Sequence, residues 1–154
     1  MDISFRTEKG RFNYRVSAVI LRDDCLLTVK DNLYSYSYLP GGRVKMGETT
    51  ENAMAREIQE ELQAKLKVVR PLWFCEDFFV EEDTQERFHE ICVYYLVDGS
   101  GLPEGDFAYT EGERINRFNW TKIEDVKNMR LYPVFIGKRI AALPEHTEMI
   151  IEGK

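Results

Sequence analysis

Four glutamates and one arginine stand at spacings that have chemical meaning. They are Glu48, Arg56, Glu57, Glu60 and Glu61. On a helix, positions i, i+3 and i+4 share one face, so Glu57, Glu60 and Glu61 form what we call the acidic ridge. Carboxylate oxygens are hard ligands that suit Mg²⁺ or Mn²⁺ better than zinc. The spacing therefore predicts a divalent-cation site on a helix.

A glycine pair precedes the ridge. The run 39–42, Leu-Pro-Gly-Gly, predicts a turn, and five residues separate Gly42 from Glu48. Glycine lets the backbone approach a ligand closely, and a helix N-terminus favours phosphate. We therefore predict that Gly41 and Gly42 contact the phosphates of a substrate. Arg43 is a further candidate for phosphate contact, and a solvated arginine is the alternative for it.

The ridge must be positioned by a helix, which we predict over residues 49–62. Thr49 is a suitable N-cap, and Met54, Ile58 and Leu62 recur every four residues as an apolar stripe. The stripe adjoins the ridge, so the helix would present its core-facing side and its acids next to each other.

The rest of the chain predicts a mixed α/β sandwich in a single domain of residues 1–154. Strands are predicted over residues 12–21, 26–30, 68–79, 88–97 and 117–120. A long loop is predicted over 98–113. A second helix is predicted from near Pro133 to before Pro144, since proline suits a first helical position.

Composition excludes several classes of protein. The 21 basic and 27 acidic residues give a net charge of −6, which disfavours a protein that coats nucleic acid. No apolar run approaches the roughly 18 residues of a membrane span, and we expect no secretory signal and no membrane partner. The three cysteines lack Cys-x-x-Cys spacing, so we predict reduced thiols in a cytoplasmic protein.

The segment resembles the Nudix box of MutT-like hydrolases. Gly42 matches the first glycine of that pattern. Every charged position of the pattern is also matched, by Glu48, Arg56 and the acidic ridge. The departure is Gln63, which stands where the family has a second glycine and must turn the chain at a greater backbone cost. The preceding Leu-Pro-Gly-Gly and the C-terminal Trp120 region are also typical of the family. The resemblance implies a Nudix-type α/β/α sandwich with a mixed, curved β-sheet between helices.

The resemblance also implies an activity, the metal-dependent hydrolysis of a pyrophosphate bond in a nucleoside diphosphate linked to another group. The substrate would be a small molecule of the nucleoside triphosphate or nucleotide-sugar type, and the cofactor Mg²⁺ or Mn²⁺. The acidic ridge would supply the principal metal ligands. Glu48 would assist the metal, and Arg56 would orient the glutamates.

The resemblance leaves the general base open. One candidate is Glu57, and another is Glu111 in a mobile loop, which we favour over Glu113 and which would also complete the metal site. Glu90 is a third candidate, although a salt bridge at the sheet edge is the role we favour for it.

Aromatic residues give the only clues to the substrate. Tyr34, Tyr36 and Tyr38 alternate with serines, so their rings could point one way and stack on a base, although packing on the sheet edge is the favoured alternative. We expect four aromatic residues of the strand 68–79 to be core: Trp73, Phe74, Phe78 and Phe79. We expect His89 to make ordinary hydrogen bonds at a strand end.

Two other functions stay open at this stage. The chain could be a pyrophosphohydrolase of RNA 5′ ends, for which a short basic patch of Lys65, Lys67 and Arg70 gives weak support. It could also be a non-catalytic module that binds a nucleotide as a regulator. A homodimer is left open as well.

Overall fold

The computed structural model describes residues 1–154 and contains nine strands and three helices. The strands are β1 Ser4–Thr7, β2 Gly10–Arg22, β3 Cys25–Asp31, β4 Gly41–Arg43, β5 Lys67–Val80, β6 Arg87–Asp98, β7 Phe107–Glu111, β8 Arg114–Lys122 and β9 Glu148–Glu152. The helices are α1 Thr50–Leu62, α2 Ile123–Val126 and α3 Phe135–Arg139.

All nine strands belong to one mixed sheet. Its order is β7-β8-β3-β2-β6-β5-β9, with β1 and β4 also paired to β2. The pairs β2–β6 and β5–β9 are parallel, and the other pairs are antiparallel. A parallel pair needs a crossover connection, and α1 lies in the connection between β2 and β6.

The sheet divides between β2 and β3, and the glycine pair lies in the division. These strands pair at two positions at one end, Leu21 with Leu26 and Arg22 with Cys25. Farther along, the backbone N–H of Val29 donates to Tyr38 O, and that of Ala18 donates to Pro40 O, both at 2.8 Å. The segment 38–43 is therefore held from both sides and presents the glycines to α1.

Hydrophobic residues cover both faces of the sheet, because successive residues of a strand point to opposite sides. Val16, Ala18 and Ile20 of β2 pack in one cluster with the buried stripe of α1. Val19 belongs to a second cluster, which includes residues of α2 and α3. The sheet lies between helices, which confirms the predicted α/β/α sandwich.

Helix α1 confirms the predicted boundaries. The side chain of Thr49 accepts a hydrogen bond from Asn52 N at 3.2 Å, which caps the first turn. The helix ends at Gln63, whose φ of 53° and ψ of 33° are left-handed. The predicted turn at this residue is confirmed, and a side chain stands where glycine would carry no penalty.

Of two predictions about the C-terminal half, one is wrong and one is confirmed. The region 98–113 is not one loop, because β7 occupies Phe107–Glu111. Phe107 stacks on Phe118 of β8 at 4.9 Å, and Gly112, with φ of 60°, provides the tight turn between the two strands. The helix predicted from near Pro133 to before Pro144 is α3, which has five residues.

Side-chain burial confirms some predictions and contradicts others. Trp73 is fully buried, and the three cysteines are free thiols. Phe79, however, is 38% exposed, and Phe78 is only half-buried, so their assignment to the core is wrong. They lie at the end of β5 beyond the cover of the helices. No helix of the structure is long and apolar enough to cross a bilayer.

We expect Gln63→Gly to stabilise the fold by about 1 kcal/mol, because it removes the Cβ from a left-handed residue. For a chain of this size that corresponds to a rise in Tm of roughly 2–4 °C. Gln59→Gly, at an exposed position inside the same helix, should lower stability by about the same amount. Thermal unfolding of the two variants checks this, and a lower Tm for Gln63→Gly would contradict it.

Candidate active site

Arg56, in the middle of α1, is the centre of a network of ion pairs that joins the helix to the preceding loop. Its Nε and Nη2 atoms donate to the two oxygens of Glu48 at 2.7 and 3.0 Å. Its Nη1 atom donates to Glu57 at 2.6 Å and to Glu60 at 3.3 Å, and Nη2 also donates to Arg43 O at 2.9 Å. One guanidinium thus connects the helix with the loop that precedes it.

Glu48 serves this network as a fixed anion. Its side chain is only 16% exposed, and it also accepts from Lys45 N at 3.0 Å. The hydrogen bonds from Arg56, opposed by some desolvation, lower the pKa of Glu48 to about 2. The pKa of Arg56 is raised in return, first by Glu48 and then by Glu57. Both oxygens of Glu48 are engaged by Arg56, so its part in metal binding stays a prediction.

The two glycines make room for different neighbours. A Cβ on Gly42 would overlap the carboxyl group of Glu57, and a Cβ on Gly41 would overlap Val16 O. Gly42 therefore brings the backbone of β4 against an acid of the ridge, and Gly41 brings it against β2. The close approach predicted for glycine serves the protein's own carboxylate here.

Glu61 lies below the glycine pair and has a very different environment from Glu48. Its Oε2 atom accepts from Gly41 N at 3.3 Å. Desolvation, together with the charge of Glu57, raises the pKa of Glu61 to about 8, although Arg15 and Arg114 oppose the shift. Two carboxylates that disfavour each other's charge would be relieved by a cation.

The donor set fits a hard divalent cation. Glu57 and Glu61 face each other closely enough for their charges to interact. The side chain of Glu60 is 54% exposed, and its contact with Arg56 is long, at 3.3 Å. No three His, Cys, Asp or Glu residues form a ready cluster of metal ligands in the structure. The carboxylate chemistry and the absence of an ion-pair partner for Glu61 nevertheless suit Mg²⁺ or Mn²⁺. The metal roles of the ridge stay predictions.

The side chains of two other predicted site residues, Glu111 and Arg43, lie outside this network. Glu111 ends β7 opposite Arg114, and no hydrogen bond or ion pair joins it to the ridge. Arg43 contributes its carbonyl to Arg56, while its guanidinium is 3.7 Å from Asp2. Its contact with phosphate and the role of Glu111 stay predictions.

The tyrosines do group their rings, as the alternation predicted. Tyr34 stacks on Tyr36 with 5.3 Å between centroids, and Tyr36 meets Tyr38 edge-on at 6.4 Å. Tyr36 also meets Tyr132 edge-on at 5.0 Å. Tyr38 pairs with Val29 in the division between β2 and β3, so it packs inside the sheet rather than at the sheet edge. Substrate binding by Tyr36 and Tyr38 stays a prediction.

Two expectations for β6 are wrong. Glu90 forms no salt bridge and accepts instead from Asn13 Nδ2 at 3.3 Å, because the parallel pairing of β2 and β6 places these residues side by side. His89 makes no hydrogen bond through its ring. It stacks on Phe78 at 4.3 Å and meets Phe12 edge-on at 5.7 Å.

Sequence reasoning missed a second charged group next to the ridge. Asp31 is fully buried and accepts from Tyr38 Oη at 2.6 Å and from Arg114 Nη2 at 2.9 Å. The backbone N–H groups of Leu33 and Tyr34 also donate to it, at 2.8 and 2.9 Å. Burial alone would raise the pKa of Asp31, but these hydrogen bonds outweigh it and lower the pKa.

Arg15 was also missed, although the sequence carried a signal. It is the one charged residue of the predicted strand 12–21, and such a charge seldom lies there without a partner. In the structure Arg15 interacts with the charges of Glu61 and Glu90, which raise its pKa against the effect of burial. Arg15 and Arg114 are the two cations that face Glu61.

A sequence model of the NUDIX domain matches residues 11–140 of this chain. The chain belongs to the Nudix family. The match includes the glycine pair, the acidic ridge and Arg56, and it extends to α3. It confirms the family that the box resembles.

Nudix relatives give the same result. A nucleoside triphosphatase, NudI, from Salmonella newport is 30% identical over 131 residues, which cover 80% of this chain and 89% of that protein. An ADP-ribose pyrophosphatase from Methanocaldococcus jannaschii is 35% identical over 98 residues, 60% of this chain and 56% of that protein. The predicted Nudix-type pyrophosphohydrolase is thus confirmed at the level of the family.

Solved Nudix structures share the fold. A MutT Nudix hydrolase from Burkholderia pseudomallei superposes with a TM-score of 0.60 at 25% identity, over 82% of this chain and 95% of that one. An ADP-ribose pyrophosphatase from Streptococcus suis gives a TM-score of 0.59 at 15% identity, over 90% and 98% of the two chains. The second likeness concerns the fold alone.

The two glycines of the Nudix loop should respond differently to alanine. Gly41→Ala places a Cβ against backbone, so we expect a loss of about 2 kcal/mol in stability. Gly42→Ala meets only the end of the Glu57 side chain, so the fold should persist while hydrolase activity falls roughly a hundredfold as Glu57 moves. Urea unfolding and activity assays of both variants test this. Equal stability losses, or full activity in Gly42→Ala, would contradict it.

Asp31→Asn should lower stability by about 2 kcal/mol at neutral pH, because it removes a buried charge that four donors satisfy. Since folding lowers the pKa of Asp31, its contribution is complete above the ordinary value of about 4 and is lost as the pH falls through the lower folded value. The difference from wild type should therefore shrink near pH 3, as measured by urea unfolding.

The matched control for this pH series is Asp83→Asn, which changes an exposed carboxyl on the β5–β6 turn. It should leave stability nearly unchanged at both pH values. A deficit of Asp31→Asn that grows on acidification would contradict the assignment.

Proposed function

We propose that this Nudix chain hydrolyses a pyrophosphate bond in a nucleoside diphosphate linked to another group, with Mg²⁺ or Mn²⁺ as cofactor. The observation that carries the proposal is the desolvated carboxyl group of Glu61, which forms no ion pair and lies beside Glu57 beneath the glycine loop. Arg56 already pairs with Glu48 and Glu57, so one site combines fixed ion pairs with a buried acid that has no ion-pair partner.

The residues have two proposed roles: Arg56 fixes the geometry of the site, and the glutamates bind the cation. Arg56 holds the loop through Glu48 and the Arg43 carbonyl, and it fixes one oxygen of Glu57. We assign Glu57, Glu60 and Glu61 to the cation, with Glu48 assisting from behind Arg56. A divalent cation bound there supplies positive charge to the phosphate oxygens and makes water a stronger acid.

We assign the general base to Glu57. One of its oxygens is taken by Arg56 at 2.6 Å, which fixes the carboxylate and leaves the second oxygen for a water. Glu111, the other candidate, forms no hydrogen bond or ion pair with the ridge. The oxygen of the attacking water would form a bond to phosphorus while its proton passes to Glu57. The bond from that phosphorus to the bridging oxygen of the pyrophosphate would break, and the bridging oxygen would leave with the other product.

The relatives support the proposed substrate class. Their names point to ADP-ribose and nucleoside triphosphates, and a UDP-X diphosphatase shares the fold with a TM-score of 0.55. Tyr36 and the glycine pair are the groups we assign to the nucleoside and the phosphates. Arg43 and Tyr38 would support them. The free thiols fit a reducing compartment, and we place the protein in the cytoplasm.

Substitution of the ridge tests this function. Glu60→Gln and Glu61→Gln should each reduce turnover by at least about a hundredfold, because each removes a charged ligand without changing its shape. Turnover is measured on a panel of substrates, namely nucleoside triphosphates, ADP-ribose and UDP-sugars, each with Mg²⁺ and with Mn²⁺. Release of nucleoside monophosphate, phosphate or pyrophosphate identifies the bond that breaks.

The matched control is Glu51→Gln, an exposed acid in the first turn of the same helix. It should retain full activity, and all three variants should melt at or above the wild-type temperature. Unchanged turnover in Glu60→Gln and Glu61→Gln would refute the proposed site. Tight nucleotide binding without turnover across the whole panel would instead indicate a regulator.

A further inference from the structure

An aromatic groove of about 760 Å³ lies at the end of the sheet that the helices leave uncovered. Four rings form a row across β1, β2, β6 and β5: Phe5, Phe12, His89 and Phe78. Successive ring centroids are 5.3, 5.7 and 4.3 Å apart. Phe12 is four residues along β2 from Val16, the partner of Gly42, so the groove lies roughly 13 Å from the glycine pair.

The rings of the aromatic groove are open to solvent. Phe5 is 55% exposed and His89 is also exposed, while Phe12 and Phe78 are half-buried. The row is continuous and extends roughly 14 Å across four strands. That length exceeds a single nucleobase. The rings of the row are tilted, edge-on or stacked on one another, and Phe5 is the ring that ends the row.

The groove concentrates positive charge in an acidic protein. Lys9, Arg11, Arg87 and Lys154 line it, and no carboxylate does. Arg11 is compensated by Glu86 at 3.4 Å, but Lys9 and Arg87 take part in no ion pair. The chain as a whole carries a net charge of −6, so this cluster marks a local preference for an anion.

We infer that the aromatic groove binds a short segment of single-stranded nucleic acid. A base would stack on Phe5, the exposed ring that ends the row, and backbone phosphates would lie against Lys9 and Arg87. Interleaved aromatic and basic side chains are what such a ligand requires, since every base has a face that stacks and every link carries a charge. The groove is too small to coat a polyanion, so the exclusion based on net charge still holds.

A second copy of the chain fits this surface less well. A two-fold contact would place the groove against itself and bring Lys9 and Arg87 of both copies together without carboxylates. Like charges at the centre of an interface disfavour association. The inference is independent of the proposed hydrolysis, because the groove shares no residue with the acidic ridge.

Binding is measured by fluorescence anisotropy of a 3′-labelled RNA of about ten nucleotides with a 5′-hydroxyl end, in EDTA. The 5′-hydroxyl and the absence of divalent metal remove any contribution from turnover at the ridge. We expect saturable binding that weakens between about 50 and 200 mM salt.

Variants of the groove identify the surface. Phe5→Ala should weaken binding roughly tenfold by removing one stacking ring. Lys9→Glu and Arg87→Glu should weaken it as well and should each lower the salt slope by about 0.7 or more. Lys138→Glu and Met149→Ala, exposed residues elsewhere, are the controls and should bind like wild type. Unchanged melting temperatures show that each variant is folded.

Two results would overturn the inference. One is the absence of saturable binding at low salt, or binding that the groove variants leave unchanged. The other is a homodimer, detected by light scattering, that Phe5→Ala dissociates while no RNA binds. In that case the groove is an interface between copies of this chain.

Discussion

The candidate site depends on the ion pairs of Arg56. A helix that carries three acids on one face repels itself by a few tenths of a kcal/mol for each like-charged pair. Arg56 offsets this by donating to Glu57 and Glu60 from the helix and to Glu48 from the loop. Because it also bonds the Arg43 carbonyl, the same guanidinium fixes the distance between loop and helix. Lysine, with a point charge and no planar fork, could not make these contacts together.

The carboxylates around Arg56 differ in ionisation because they differ in surroundings. Glu48 has a fixed cation, and its pKa is low. Glu61 is desolvated beside Glu57 and forms no ion pair, so its pKa is high. The same side chain thus serves as a counter-ion at one position and, in the proposed function, as a cation ligand at the other. Helix periodicity alone cannot distinguish the two roles, since it fixes only which residues share a face.

The sequence predicted the parts of the molecule that depend on local patterns. Thr49 as a cap, the apolar stripe of α1 and the left-handed turn at Gln63 all follow from neighbours within a few residues. The aspartate at the end of β3 was missed because its partners Tyr38 and Arg114 are brought together only by the strand pairing. The exposure of Phe79 was missed for a similar reason. An apolar strand predicts burial, but whether a helix reaches its end depends on the packing of the whole sheet.

The position of the glycine pair inside the divided sheet fixes the length of that segment. Loops are ordinarily where homologous chains gain or lose residues. Here a single inserted residue between Tyr38 and Arg43 would shift the pairing with β2 by one and turn a side chain toward Glu57. The preceding residues 32–36 pair with no strand. Over evolution, this segment beside the site could therefore change in length, while the glycine segment could change only by substitution.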